Sequence, residues 1–385
     1  MIPYGRQNIS QEDIDSVIKV LRSDFLTQGP KVPLFEEAVS EYCDVKSSVA
    51  TNSATSALHI ACLALDLGEG DWLWTSPNSF VASANCGLYC GAAVDFVDID
   101  PKTCNMSVTA LEAKLIKASQ NNTLPKIIIP VHFAGQSCDM KKINFLSKKY
   151  GFKIIEDASH AIGGKYLHNQ IGSCKYSDIT IFSFHPVKII TTAEGGMALS
   201  NSLHLIEKMR LFRSHGITRD KSFIKNKHNE EWHYEQLCLG FNYRMTDLQA
   251  ALGISQLKRI DKFVAKRKNL KERYDSLLDN LPIILPFQSE NNHSSFHLYP
   301  VQIDTDKTNK SRKAVFDYMR NMCVGVNVHY IPIHTQPYYQ SLGFNIGDFP
   351  NSEEYYKRTI SIPLFHTMTN KQQDVVIKSI KAALQ

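Results

Sequence analysis

Three short stretches of the chain carry residue types that could act together on one small molecule. In "SFHPVKIITTAEGG", residues 183–196, Lys188 follows an apolar, strand-like run and precedes a turn of threonine, glutamate and glycine. An ammonium group there must be paired, solvated or chemically used, and a lysine amine freed of its charge forms a Schiff base with a carbonyl. In "IIEDASHAIGG", Asp157 ends an apolar run and His160 follows it closely. A carboxylate at a buried strand end is costly unless it meets a cation or several donors. It could cap a helix, or accept from a protonated ring nitrogen. In "ATNSATSALHIACLAL", Asn52, Ser53, Thr55 and Ser56 set hydroxyls and free N–H groups at the start of a helical pattern. That arrangement serves as an ordinary N-cap or as an anion cup.

Taken singly, each stretch has a structural explanation. Taken together, they match one ligand, pyridoxal 5′-phosphate, which needs a Schiff-base lysine, a carboxylate on its pyridinium nitrogen and a phosphate cup. Ser183, just before Lys188, offers a further phosphate hydroxyl. Phe80 in "SPNSFVASAN" offers a ring to stack on the pyridine, although a lone aromatic also suits a core. Neither GxxxxGK[ST] nor GxGxxG occurs, which argues against nucleoside triphosphate and dinucleotide sites. No Cys/His spacing suggests a metal.

The elements that must position these residues alternate. Strand-like runs occur at "SSVATNS", "DWLWTSP", "AAVDFVDID", "KIIIPVHFAG", "FKIIEDAS", "DITIFSFH" and "GGMALS", with helical patterns over 55–66, 78–90, 109–119 and 139–150. This predicts an α/β fold with a mostly parallel sheet covered on both faces, binding its ligand at the carboxyl ends of the strands. From about residue 201 the pattern changes. One long helical pattern, "DLQAALGISQLKRIDKFVAKRKNLKERYDSLL", has a possible bend at Gly253. It leads to strand candidates "SSFHLYPVQI" and "GVNVHYIPIH" around a helix near 310–322. The expected division is a large domain over 1–260 and a smaller α+β domain over 261–385.

The formal charge of +5 is small for 385 residues. The lysine- and arginine-rich stretch "LKRIDKFVAKRKNLKER" carries interspersed acids at helical spacing, a solvated helix rather than a nucleic-acid surface. Nine scattered cysteines suggest reduced thiols. With no signal-like N-terminus and no long apolar run, the expectation is a soluble cytoplasmic protein with no membrane partner.

Ordered along the chain, "LTQGPKVPLFEEAVSEY", "NSATSALH", "SFVASANCGLYCGAAVDFVDID", "EDASHAIGG", "SFHPVKIITTAEGG", "RLFRSHGI", "GFNYRMTDLQAALG" and "HLYP" resemble the sugar aminotransferases of the DegT/StrS type. The likeness runs nearly end to end. It implies the fold type I (aspartate-aminotransferase-like) architecture, with Lys188 as the Schiff-base lysine and Asp157 on the ring nitrogen. Thr55, Ser56 and Ser183 match the phosphate ligands, Phe80 the stacking ring, and His160 the residue beside the 3′-oxygen. Asn242 matches an asparagine that reaches the neighbouring subunit's phosphate, which implies a homodimer with shared sites. Thr27, Gln28 and His329 match loops near the sugar nucleotide, and Lys31 and Arg213 are candidate cations for its diphosphate. His329 could equally be a satisfied histidine on a packed strand. Two positions depart from the pattern: Ala54 replaces a common glycine, and Pro186 a common alanine.

Within the family, the motifs resemble members that aminate C4 of UDP-2-acetamido-2,6-dideoxy-β-L-arabino-hex-4-ulose with L-glutamate, in pseudaminic acid biosynthesis. The resemblance implies two half-reactions and ping-pong kinetics. The alternatives are another nucleotide-linked keto sugar (dTDP-, GDP- or UDP-linked), or a cofactor-holding regulatory paralogue. Relatives that deoxygenate sugars carry histidine where this chain has Lys188.

Overall fold

The structure is a computed structural model that describes residues 1–224 and 230–385. Seven strands form the central sheet: β1 (Ser47–Thr51), β2 (Trp72–Thr75), β3 (Ala93–Phe96), β4 (Ile127–Ile129), β5 (Lys153–Asp157), β6 (Ile179–Ser183) and β7 (Gly196–Ser200). Their order is β1-β7-β6-β5-β4-β2-β3. Strands β2 to β6 pair in parallel, while β7 runs antiparallel between β6 and β1. This is the expected fold, a mostly parallel α/β sheet.

Helices α1 (Ala54–Ala64), α2 (Ala82–Tyr89), α3 (Val108–Asn121) and α4 (Met140–Tyr150) lie between the strands. In β4, Ile127 and Ile129 join the core that contains α1 and α2, whereas Ile128 joins the core of α3 and α4. That is the period-two alternation of a strand covered on both faces. All three are fully buried. At roughly 2 kcal/mol per buried isoleucine, the β-branched run earns its central place.

The parallel arrangement brings the carboxyl ends of β5 and β6 together, with Asp157 opposite Ile181 and Ser183 two residues beyond. Running the other way, β7 starts at this same edge. Its Gly196 lies opposite Ser183 on one side and Thr51 on the other. A Cβ at Gly196 would lie 2.4 Å from the Ala54 nitrogen and 2.5 Å from the Ser53 oxygen. Only glycine lets the start of α1 approach so closely.

Two expectations are corrected further along the chain. The long helical pattern is two helices, α5 (Asp247–Leu257) and α6 (Ile260–Leu278), and the break falls at Lys258–Arg259 rather than Gly253. Gly253 instead lets α5 lie against Phe35, whose ring a Cβ would meet at 2.5 Å. Nor is "GVNVHYIPIH" a strand. Asn327 makes a single bridge to Ser361, and a 3-10 turn at Ile333–Thr335 follows.

The smaller sheet contains β8 (Ile283–Ile284), β9 (Tyr299–Ile303) and β10 (Thr359–Ile362), all antiparallel. Its core includes residues of α7 (Arg312–Asn321) and α8 (Asn370–Leu384). Near the amino terminus, Ile2 pairs with Val324 and packs on this core. Among the described residues, no helix is long and apolar enough to cross a membrane.

Candidate active site

At the carboxyl edge of the large sheet is a cavity of about 410 Å³, within the size range of small-molecule sites. Its lining includes Thr55, Phe80, Asp157, His160, Ser183, Lys188 and His329. Seven residues singled out from the sequence therefore meet in one place.

Asp157 is 5% exposed. Its Oδ2 accepts from the Ser83 hydroxyl at 2.6 Å, and Oδ1 accepts from the Ser159 N–H at 3.1 Å. Ser83 is in turn 2.8 Å from the Ser79 hydroxyl. Hydrogen bonds to a charged group contribute roughly 1.5–3 kcal/mol each, which offsets much of the desolvation of a buried carboxylate. The carboxylate is therefore held in place and still faces the cavity. Lys188 is half-buried. Burial pulls its amine down to about 8, while Asp157 pulls the other way. The balance leaves a sizeable neutral, nucleophilic fraction near neutral pH.

His160 and His329 are held neutral by burial. His160 Nδ1 accepts from the Ala134 N–H at 3.3 Å, which leaves Nε2–H to donate to the Tyr330 hydroxyl at 2.9 Å. Burial, then Lys188 and His329, hold His160 well below its usual range. His329 pairs through Nδ1 with the Ser361 hydroxyl at 2.8 Å, and burial with Lys188 brings it down to about 3. Both sequence expectations for His329 thus contain a part of the outcome: it is satisfied, and it lines the cavity, although on no strand.

At the other end, Ser53 caps α1 by accepting from the Ser56 N–H at 3.1 Å. Ser56 turns its hydroxyl to Asn52 Oδ1 at 2.6 Å and lies outside the lining. Among the described residues, no hydrogen bond occupies the N–H groups of Ala54 and Thr55, the first two of the helix. Open N–H groups at a helix start suit a phosphate. Phe80 lines the cavity yet is 61% exposed, an aromatic face open to a flat ligand. The donor set therefore fits pyridoxal phosphate.

The remaining candidates lie outside this lining. Asn242 is exposed and bridged to Ser214. Thr27 bridges to Thr246, and the exposed Gln28 has φ 56°. Lys31 is tied through its N–H to Asp247 Oδ2 at 3.2 Å. Arg213 donates to Glu36 Oε1 at 2.5 Å and to the Ala50 carbonyl at 2.9 Å. Sequence reasoning missed Tyr4, His185, Glu194, His297 and Tyr330, all in the lining, and Ser83 behind it. All but Tyr4 and Tyr330 fall within stretches whose resemblance was noted, so their positions were available but their roles were not. Nothing in "MIPYGR" marks Tyr4. Among the described residues, no cluster of three metal-ligating side chains is present.

Residues 7–381 match the model of the DegT/DnrJ/EryC1/StrS aminotransferase family. The UDP-4-amino-4,6-dideoxy-N-acetyl-beta-L-altrosamine transaminase of Campylobacter jejuni is 39% identical, covering 100% of this chain and 98% of the relative. The spore coat polysaccharide biosynthesis protein SpsC of Bacillus subtilis is 37% identical, covering 99% and 96%. Among solved structures, Helicobacter pylori PseC, an aminotransferase of pseudaminic acid biosynthesis, superposes with a TM-score of 0.90 at 33% identity, covering 100% of this chain and 99% of that one. The PLP form of a sugar aminotransferase from Streptococcus pneumoniae superposes at 0.88 with 28% identity, covering 99% and 98%. Matched over residues 7–381, the chain belongs to the DegT/DnrJ/EryC1/StrS aminotransferase family, and solved aminotransferases share its fold.

Proposed function

We propose that this enzyme moves the amino group of L-glutamate to C4 of UDP-2-acetamido-2,6-dideoxy-β-L-arabino-hex-4-ulose, a step of pseudaminic acid biosynthesis in the cytoplasm. The observation that carries amino transfer is the meeting of Lys188 and Asp157 in one cavity with the open start of α1. The sugar is supported by the likeness to the Campylobacter altrosamine transaminase and to the Helicobacter aminotransferase of pseudaminic acid biosynthesis.

Pyridoxal 5′-phosphate, when bound, supplies a carbonyl for the incoming amine and a ring that accepts the electrons released at Cα. The protein does the rest. Open N–H groups of α1, with Thr55 and Ser183, hold the phosphate. Asp157 keeps a proton on the ring nitrogen, and Phe80 shields one ring face from water. Lys188 would hold the cofactor through its amine and yield that place to the incoming amine. It then takes the Cα proton of glutamate, and in the second half-reaction it returns a proton to C4 of the sugar. His160 would lie beside the 3′-oxygen as a neutral ring, its Nε2–H held by the Tyr330 hydroxyl.

Two chains complete each site in this proposal. Asn242 is exposed and outside its own cavity, so it is free to reach a neighbour's phosphate. Phe25 and Leu239, 53% and 79% exposed, lie on the same two loop stretches as Thr27 and Asn242, and a second copy would cover them.

The test is the visible spectrum of the purified protein. The expected outcome is a yellow protein that bleaches with L-glutamate and recovers with the UDP-linked 4-keto sugar. A colourless protein that takes up no added pyridoxal phosphate would sink the proposal. Recovery with a dTDP- or GDP-linked keto sugar in place of the UDP sugar would move the enzyme to that substrate.

A further inference from the structure

His297, in "SSFHLYP" just before β9, lines the same cavity and is 4% exposed. Its ring packs on His160, with centroids 4.4 Å apart and planes tilted 45°. His160 and His329, the other two buried histidines of the lining, both have partners. His297 differs. Its Nδ1 is sealed from solvent without a partner, and among the described residues no hydrogen bond joins Nε2 to the protein. An unpaired buried polar group costs about 1–3 kcal/mol and calls for an explanation.

The backbone that aims this ring is held at similar cost. Phe296, the residue before it, has φ 51°, in the left-handed region that a bulky side chain rarely enters. The His297 N–H donates to the Ala134 carbonyl at 2.9 Å. Arg267, 1% exposed on α6, donates from Nη1 to the carbonyls of Phe296 (3.3 Å), His297 (3.1 Å) and Leu364 (2.9 Å). Among the described residues it has no carboxylate partner. A buried guanidinium held only by carbonyls is expensive, so the turn is clamped at both its strained residue and its histidine.

We propose that His297 is a further ligand-contacting residue of this site, donating from Nε2–H to an oxygen of the acceptor sugar, and that Arg267 is the positioning residue that aims it. The assignment rests on the amino-transfer proposal above. Burial, then His160, Lys188 and Arg267, hold His297 well below its usual range, so the ring is neutral and carries one donor and one acceptor. A buried N–H without a partner is rarer than an under-satisfied acceptor. The sealed Nδ1 is therefore the bare nitrogen, and the proton sits on Nε2. A neutral donor suits a carbonyl or hydroxyl oxygen. The carboxylates of glutamate are better matched by charged groups.

The two half-reactions separate these ligands. His297→Phe keeps the ring volume and removes the donor, whereas His297→Gln places an amide N–H near the position of Nε2. The holoenzyme of each variant would be followed by absorbance, first with L-glutamate and then with the UDP-linked 4-keto sugar. Sugar affinity would be measured separately by titration calorimetry in a Lys188→Ala background. His297→Phe should weaken sugar affinity about tenfold, the loss of one hydrogen bond, and leave the glutamate half within about twofold. His297→Gln should recover most of the loss. Arg267→Met should raise the sugar KM and spare the glutamate half, with Arg267→Lys intermediate. Equal slowing of both halves, or unchanged sugar affinity in His297→Phe, overturns the assignment. A parent enzyme that never responds to L-glutamate overturns the amino-transfer proposal instead, and this assignment with it.

Discussion

The carboxyl edge of the large sheet and the two loop stretches at 25–31 and 239–244 carry residues of equal promise in the sequence. The structure treats them differently. Asp157, Ser183 and Lys188 stand on or just after neighbouring strands and line one cavity. Thr27, Gln28, Lys31 and Asn242 lie outside it, and Thr27, Gln28 and Asn242 are exposed. A residue at a strand end is placed by the register of the sheet, within its own chain. A residue on a loop acquires its place from whatever comes to lie against it.

The sharpest break in that comparison is Lys188→Ala. It should lower turnover by at least about 10³-fold and abolish the yellow colour, with folding unchanged by circular dichroism. Asp157→Asn should cost about 10²-fold in turnover while the protein still takes up the cofactor, because the carboxylate acts on the ring nitrogen. Retention of full rate by either variant would remove the strand-end residues from the chemistry.

For the loops, Asn242→Ala should weaken cofactor binding about tenfold, the size of one hydrogen bond to a charged phosphate. If the site is shared, mixing Lys188→Ala with Asn242→Ala protein and allowing subunits to exchange should give about a quarter of the sites both the lysine and parental cofactor affinity, read as activity at limiting cofactor, since half the dimers then hold one intact site. No recovery on mixing would return Asn242 to its own chain.

A smaller effect is expected from pH. With the Lys188 amine brought down to about 8, the apoenzyme should capture pyridoxal phosphate several-fold faster as pH rises from 7 through 8, because the neutral amine gains. A rate still climbing steeply above pH 9 would mean an amine of ordinary basicity. Arg213→Ala should have the smallest effect on catalysis. Its guanidinium has a carboxylate and a carbonyl as partners, so the loss should be about 1–3 kcal/mol of stability with the sugar KM unchanged.

The fold was legible where periodicity carried it. Every strand of the large sheet was anticipated, because each is a short apolar run between turn signals. The direction of β7 was not, since hydrophobic pattern does not encode orientation. Gly253 misled because glycine marks a helix break only when no neighbour needs its space, and Phe35 does. "GVNVHYIPIH" alternates like a strand, but His329 and Tyr330 line the cavity and His334 is buried on Glu353. The cavity itself was legible through residue chemistry at strand ends. His297, Tyr330 and Tyr4 were not, because only tertiary contact brings residues so distant in sequence to His160 and Lys188.

The carboxylate of Asp247 takes the N–H groups of both Gly29 and Lys31 from the head of α5. A Cβ at Gly29 would fall 2.4 Å from that same carboxylate. The arm that carries Thr27 and Gln28 is thus tied down at its far end before any nucleotide sugar arrives. Were this arm to contact the nucleotide sugar, little conformational entropy would remain to be lost, so its contacts could appear almost whole in the affinity.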